Sequence, residues 1–289
     1  MKRILIALAV LLSVQVADAQ TKSPDAAKKA VAAAEAAAEN PKKAAKVATW
    51  VKLATSYMDA YNAPAGSAWV GASKQELQLL MGSQQPLAVE NVEVGGDALV
   101  KETYADKDFY FNGAGQLVLI DVTKPVIENA LAKATDAYKK AYEVDVKKSK
   151  EKDIMTGIQS IQQKYFIDGM NQYSLGDYKK AGELLGKAAK ASETAPNSVV
   201  DTTSLYNAGY IYWASKDFET AKTYFERCLA ENYFYENGEF VLNEDWEPYV
   251  SPEERITELE TIVAIHEEND AELLYQICLL QLGITEDDL

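Results

Sequence analysis

The chain has 289 residues, 48% of them hydrophobic, with 44 acidic and 29 basic side chains for a formal net charge of −15. This apolar content is ample for a core and argues against disorder. The acidity argues against nucleic-acid binding, because Lys139-Lys140 and Lys147 to Lys152 are interleaved with acids and read as a solvated helix face rather than a basic patch.

Lys2 and Arg3 precede an apolar run, Ile4 to Leu12, which leads to the small-x-small pattern Ala17-Asp18-Ala19. This predicts a signal peptide over 1–19 and a soluble, exported product, periplasmic or secreted, beginning at Gln20. The run is shorter than the roughly 20 residues a membrane span needs, no later segment is apolar enough to span, and no cysteine follows it to take a lipid anchor. Over 20–61 two helices are expected. The first is alanine-rich, Ala26 to Glu39, and stops at Asn40-Pro41. The second carries Trp50, Leu53, Ala54 and Tyr57 at helical spacing and ends around Asn62, Pro64 and Gly66.

Residues 62–124 have a different texture and read as a small α+β insert. Ser73 with Glu76 forms a capping box ahead of Leu77, Leu79 and Leu80, and Gly82 and Pro86 close that short helix. Strand-like pieces follow at Leu87 to Val94, Ala98 to Tyr104, Phe109 to Phe111 and Leu117 to Val122, with Gly95-Gly96 and Asn112-Gly113 as turns. From 125 to 289 the pattern is helical again, apart from an irregular stretch near Phe234 to Pro252. Pro125 is expected to open a helix carrying Ile127, Leu131, Ala134, Tyr138 and Ala141.

Two segments share an internal spacing. Gly169 is followed twelve residues later by Ala181, and Gly209 by Ala221, with Gly176-Asp177-Tyr178 and Lys216-Asp217-Phe218 between them. Antiparallel helices approach closely only where small residues face each other, and a short turn with a ring behind it fixes their angle. These residues resemble the tetratricopeptide repeat (TPR), a helix–turn–helix unit of about 34 residues. Leu205, Gly209, Tyr212, Ala221, Phe225 and Cys228 fall at the family's packing positions in one copy, as do Tyr165, Gly169, Ala181, Leu185 and Ala188 in the other. The second copy departs at Gln172, where a ring is usual, and the offset of 40 makes the loop Ser192 to Val199 long. Trp50, Leu53, Ala54 and Tyr57 resemble the first helix of a further repeat, whose second helix would hold Ala134, Tyr138 and Ala141 with the insert between them. Leu274, Ile277 and Cys278 resemble one more first helix. The fold this implies is mainly α, a TPR-like helix–turn–helix array (an α-solenoid) with a small inserted α+β module. The apolar stretch Leu273 to Leu282 lacks an evident partner helix, leaving three readings: docking elsewhere, self-association, or a shortened chain. The insert itself is similar to small helix-plus-sheet modules of β-lactamase-inhibitor repeats and outer-membrane lipoproteins, through Ser73 to Leu77, Leu80-Met81-Gly82 and Tyr110 to Gly113.

Catalytic chemistry finds little footing. His266 is the lone histidine, it stands in an acidic helical stretch, and no nucleophile pattern lies near it. One histidine with Cys228 and Cys278 cannot supply a zinc site of the usual kind, and both cysteines fall on apolar faces, read as packing residues ahead of a disulfide. Glu244-Asp245, Glu253-Glu254, Glu267-Glu268 with Asp270, and Glu286-Asp287-Asp288 read as solvated runs. Asp97, Asp106 and Asp108 match no calcium loop, and no phosphate-binding glycine motif is present. The expectation is no enzyme, cofactor or metal.

The TPR resemblance implies a partner-binding groove along the first helices. Its positions map to Val51, Thr55 and Met58, then Phe166, Met170 and Tyr173, then Tyr206, Tyr210 and Trp213. Of these, Phe166, Met170, Tyr173, Tyr206, Tyr210 and Trp213 are the candidate site. Asn207 alone stands where some members place a clamp for an acidic peptide terminus. Rings and apolar groups suit a protein segment with apolar anchors. The function expected is that of a scaffold or adaptor in the cell envelope. A glycan-binding envelope protein is the alternative, because stacked aromatics also hold sugar rings.

Overall fold

The structure is a computed structural model and describes residues 21–81, 84–197, 199–231, 251–265 and 271–284. The signal segment 1–19, His266, the greater part of the stretch 234–252, and the acids at 244–245, 267–268, 270 and 286–288 lie outside them. Within the described residues the chain is mostly helical, with one small antiparallel sheet.

Local chemistry starts the first helices where the residues direct. Ser23 Oγ accepts from Ala26 N–H at 3.4 Å and Pro24 occupies the first turn of α1 (Pro24–Glu39). Asn40 Oδ1 accepts from Lys42 and Lys43 N–H at 3.1 and 3.3 Å to start the single turn α2 (Pro41–Ala44). α3 (Val47–Asn62) buries Leu53, Ala54, Tyr57 and Ala60, and α1 packs its Ala27, Val31 and Ala34 into the same core.

In the insert, α4 (Lys74–Met81) begins with a reciprocal capping box: Ser73 N–H donates to Glu76 Oε2 at 2.8 Å and Glu76 N–H donates to Ser73 Oγ at 3.3 Å. The Ser73 N–H, and next the Ser73 hydroxyl, which also donates to Glu76 Oε2 at 2.8 Å, hold the Glu76 carboxyl below its ordinary range. Four strands follow in sequence order, β1 (Ala88–Val94), β2 (Asp97–Thr103), β3 (Lys107–Phe111) and β4 (Leu117–Val122), all antiparallel. Gly95 and Gly96 both take positive φ in the β1–β2 turn, the two-residue hairpin geometry that only glycine and a few polar residues adopt readily. One sheet face carries Phe109, Phe111 and Leu117 against Leu77 of α4, and the other carries Leu99, Tyr110 and Leu119 with Leu175 beside them.

Pro125 does not open the next helix. Residues 125–129 run through bends and a turn, Asn129 sits at φ 55°, and a left-handed residue cannot belong to a right-handed helix, so α5 (Ala130–Val144) starts at Ala130. α5 packs along α3 through Leu131, Ala134, Tyr138 and Ala141, so the two helices that flank the insert in sequence are neighbours in space. Then come α6 (Glu151–Ser174), α7 (Tyr178–Ser192), α8 (Thr202–Ala214) and α9 (Phe218–Ala230), each packed on the one before it. α10 (Pro252–Ile265) and α11 (Ala271–Leu282) close the described chain, and α11 buries Leu273, Leu274, Ile277 and Cys278 against α9 and α10. The apolar stretch 273–282 is thus packed within the chain, the first of the three readings left open by its sequence.

The α6–α7 and α8–α9 hairpins share one close-contact design. A Cβ added at Gly169 would stand 2.8 Å from Leu185 Cγ, and one at Gly209 would stand 2.8 Å from the Phe225 ring. Both distances are shorter than side chains tolerate, so glycine is what lets these helix pairs approach.

Candidate functional site

The six candidate residues lie on the first helices of the two hairpins, and the structure divides them. Phe166 and Met170 are only 7% and 3% exposed and belong to the core shared with α3, α5 and α7. They offer no surface to a partner, which narrows the site. The cause is nonlocal: α3 packs on this face of α6 and supplies Met58, itself buried, while Val51 is half-buried and Thr55 exposed.

Tyr173, Tyr206, Tyr210 and Trp213 are half-buried, with inner edges on the core and outer edges toward solvent. Tyr206 and Tyr210, one helical turn apart on α8, have centroids 6.4 Å apart, and Tyr210 and Trp213 stand 5.5 Å apart at 45°. Tyr206 also leans on the fully buried Phe225 at 6.0 Å, which fixes the inner end of the row. On α6, Tyr173 meets Tyr178 at 5.5 Å and 54°. Burial first, and then the nearby hydroxyls of Tyr210 and Tyr178, raise the Tyr173 phenol above its ordinary range. Tyr178 was read from sequence only as the ring behind a turn. At 48% exposed it is a more open ring than any of the four, and its place after Gly176-Asp177 is the signal that could have brought it in.

The hairpin turns hold these rings in place. Leu175, Gly176 and Asp177 N–H donate back to Asn171, Tyr173 and Gln172 C=O, and Ser215, Lys216 and Asp217 N–H repeat the pattern to Ile211, Trp213 and Tyr212 C=O. Both are Schellman endings, with the left-handed residue at Gly176 (φ 84°) or Lys216 (φ 64°). The chain then restarts through Asp177 and Asp217, whose carboxylates accept from Lys180 and Thr220 N–H at 3.1 and 3.2 Å. Tyr173 and Trp213 therefore sit at the same place relative to two like turns. The Trp213 indole nitrogen is buried from water, yet its N–H finds no acceptor among the described residues.

The other candidate groups do not assemble. Asp106 Oδ1 takes Lys107 Nζ at 3.2 Å and Asp108 Oδ2 takes Lys101 Nζ at 2.8 Å, while Asp97 lies at the opposite end of β2 beside the hairpin turn. Among the described residues no three His, Cys, Asp or Glu side chains gather to hold a metal. Cys228 and Cys278 are free thiols buried in one cluster between α9 and α11. Burial pushes both up to about 12, so they stay protonated and unreactive at neutral pH. A cavity of about 390 Å³ between α5 and the end of α7 is bordered by Lys139, Glu143, Lys190 and Glu193, charges of both signs, with Tyr142 and Ala195 beside them. No helix among the described residues is long and apolar enough to cross a membrane. No family model, no curated protein and no solved structure matches this chain.

Proposed function

We propose that this protein is a non-catalytic scaffold or adaptor of the tetratricopeptide type, exported to the cell envelope, that binds a segment of a protein partner across the aromatic row on α6 and α8. The observation that carries this reading is a tilted ring pair on each of two like-turned helix hairpins, Tyr173 with Tyr178 and Tyr210 with Trp213, every ring partly open to solvent. Such rings contribute large contact area at low entropic cost and concentrate binding energy. The shared spacing, Schellman turns and glycine contacts of the two hairpins support the repeat assignment.

The test is a crosslinking pull-down from envelope extract, comparing the wild type with Tyr210→Ala/Trp213→Ala. Tyr206 is left intact because it packs on Phe225, and circular dichroism verifies that the variant folds. Capture of a protein by the wild type and its loss in the variant is the expected result. Equal capture by both sinks the aromatic row as the site. A melting shift produced by oligosaccharides and abolished in the variant would assign the row to glycans instead.

A further inference from the structure

The two edges of the sheet are treated differently. Along β4, Gly71 N–H donates to Leu117 C=O at 2.7 Å, Leu117 N–H donates to Ala72 C=O at 2.8 Å, and the Asn171 side chain of α6 donates to Ile120 C=O at 3.3 Å. That edge is covered by the segment before α4 and by α6. Among the described residues β1 pairs with β2 alone, over seven in-register positions from Ala88↔Thr103 to Val94↔Asp97. Behind a two-residue turn, strand alternation directs the backbone groups of Val89, Asn91 and Glu93 away from β2. An open edge of this length is a template for another strand, and proteins commonly blunt such edges with lysine or proline. β1 contains neither.

The side chains around this edge are unpartnered in a consistent way. Leu87 and Val89 are 74% and 58% exposed on the same side of the sheet as α4, and on α4 Leu79 and Leu80 are 86% and 49% exposed. Leu87 and Val89 thus stand in water on one face of the free edge itself. The charges on β1 are all negative. Glu90 lies opposite Lys101, but that ammonium is engaged by Asp108 at 2.8 Å, and Glu93 lies opposite Ala98. A second copy of the chain would bring the same two glutamates and a further net charge of −15, so self-pairing is opposed.

We propose that β1 is a second docking surface, which takes an extended segment of another protein whose apolar side chains alternate with lysine or arginine. The backbone of Val89, Asn91 and Glu93 pairs with the added strand. Leu87 and Val89 receive its apolar side chains on one face of the sheet, and Glu90 receives its cations on the other. This goes beyond the aromatic-row reading and uses none of its residues.

The experiment uses the full chain and two blocked seven-residue peptides, one alternating valine with lysine and one alternating valine with glutamate. The lysine peptide is expected to slow amide exchange at Val89, Asn91 and Glu93 and to bind at least about tenfold tighter than the glutamate peptide. Asn91→Pro removes an outward N–H without touching the β2 ladder and is expected to lose at least about tenfold in affinity with its circular dichroism unchanged. Glu90→Lys is expected to abolish the preference for the lysine peptide, and Tyr210→Ala/Trp213→Ala to leave it as it was, which separates this surface from the aromatic row. Three results overturn the proposal. One is no protection at β1 up to about millimolar lysine peptide, and another is equal binding of the two peptides. The third is a dimer in sedimentation that Asn91→Pro abolishes, which would give the edge to a second copy.

Discussion

The α6–α7 and α8–α9 hairpins are built alike and used differently. They share the glycine of close approach, the Schellman turn and the aspartate cap, at a constant offset of 40 residues. The positions beside those shared features diverge. On α6, Asp168 accepts from Tyr61 of α3 at 2.8 Å, Asn171 donates to Ile120 C=O, and Gln172 donates to Asp121 Oδ1 at 3.0 Å. The equivalent positions on α8 are Ala208, Ile211 and Tyr212: the first two are fully buried, and Tyr212 stacks on Tyr224 at 5.6 Å and 14°. One hairpin thus spends its first helix on polar ties to α3 and the sheet, and the other spends it on ring packing. Phe166 and Met170 are enclosed because α3 packs on that face of α6, whereas Tyr210 and Trp213 on α8 are only half-buried among the described residues.

The largest expected effect comes from breaking the shared close contact on its heavier side. Phe225 and Leu185 are both fully buried against their hairpin's glycine. Phe225→Ala is expected to cost ~3–5 kcal/mol and Leu185→Ala ~2–5 kcal/mol, since each removes buried area and leaves a cavity. Chemical denaturation measures both. A cost below about 1 kcal/mol at either site would mean that its hairpin is not held by this contact. Because Tyr206 leans on Phe225, Phe225→Ala should also disturb the aromatic row, whereas Leu185→Ala should not.

Much of this design is local and therefore legible in the residues. The Ser73–Glu76 capping box and the Gly95-Gly96 turn depend on groups a few residues apart, and the structure has them as expected. Gly169 and Gly209 do mark close approach, but the side chain each meets is sixteen residues on, Leu185 or Phe225, rather than the alanine twelve on. The first helix pair was also legible across its insert, because Trp50 to Tyr57 and Ala134 to Ala141 each carry a complete apolar stripe. What escaped depends on who packs against whom. Helical spacing places Phe166 and Met170 on the same kind of face as Tyr210 and Trp213, but only the distant α3 decides that the first pair is covered. Pro125 looked like a helix start because nothing in the residue order announces that Asn129 turns left-handed. The helix at 271–282 seemed to lack a partner because that partner, α9, lies more than 40 residues earlier in the chain.

The polar side of the comparison carries a pH dependence. Asp168 is raised to about 6, chiefly by burial, with Asp121 adding to the rise. The Tyr61 hydroxyl and the charges of Lys164 and Lys180 oppose it. Lys164 bonds Asn62 Oδ1 at 2.8 Å and sits 5.1 Å over the Tyr61 ring. An unfolded aspartate titrates near ~3.9. Between those values the folded chain holds a proton that the unfolded chain lacks, so stability falls as pH rises through the window and levels off above it. The loss is on the order of 2 kcal/mol. Asp168→Asn keeps an acceptor for Tyr61 and removes the charge. It should flatten stability between about pH 4 and 6 and raise it at pH 7 by a similar amount. An unchanged pH profile in urea titrations would show that Asp168 is solvated rather than buried. Ala208→Asp on α8 is expected to be more damaging, since Ala208 is fully buried and the aspartate brings both extra volume and a charge into the core.

The smallest expected effect separates the two turns themselves. Gly176 at φ 84° pays no steric cost, whereas Lys216 at φ 64° holds its Cβ against the following carbonyl. Lys216→Gly should therefore stabilise the α8–α9 hairpin, by somewhat less than the ~1–2 kcal/mol left-handed penalty, because glycine also loosens the unfolded chain. Gly176→Lys should destabilise the α6–α7 hairpin by a comparable amount. Thermal melts of the two variants, run together, read both signs. If Lys216→Gly lowers the melting temperature, the lysine must make up its backbone cost elsewhere. The lysine's own N–H donates to Trp213 C=O at 2.9 Å, so partner capture by the wild type and by Lys216→Gly would then show whether the strain belongs to the aromatic row.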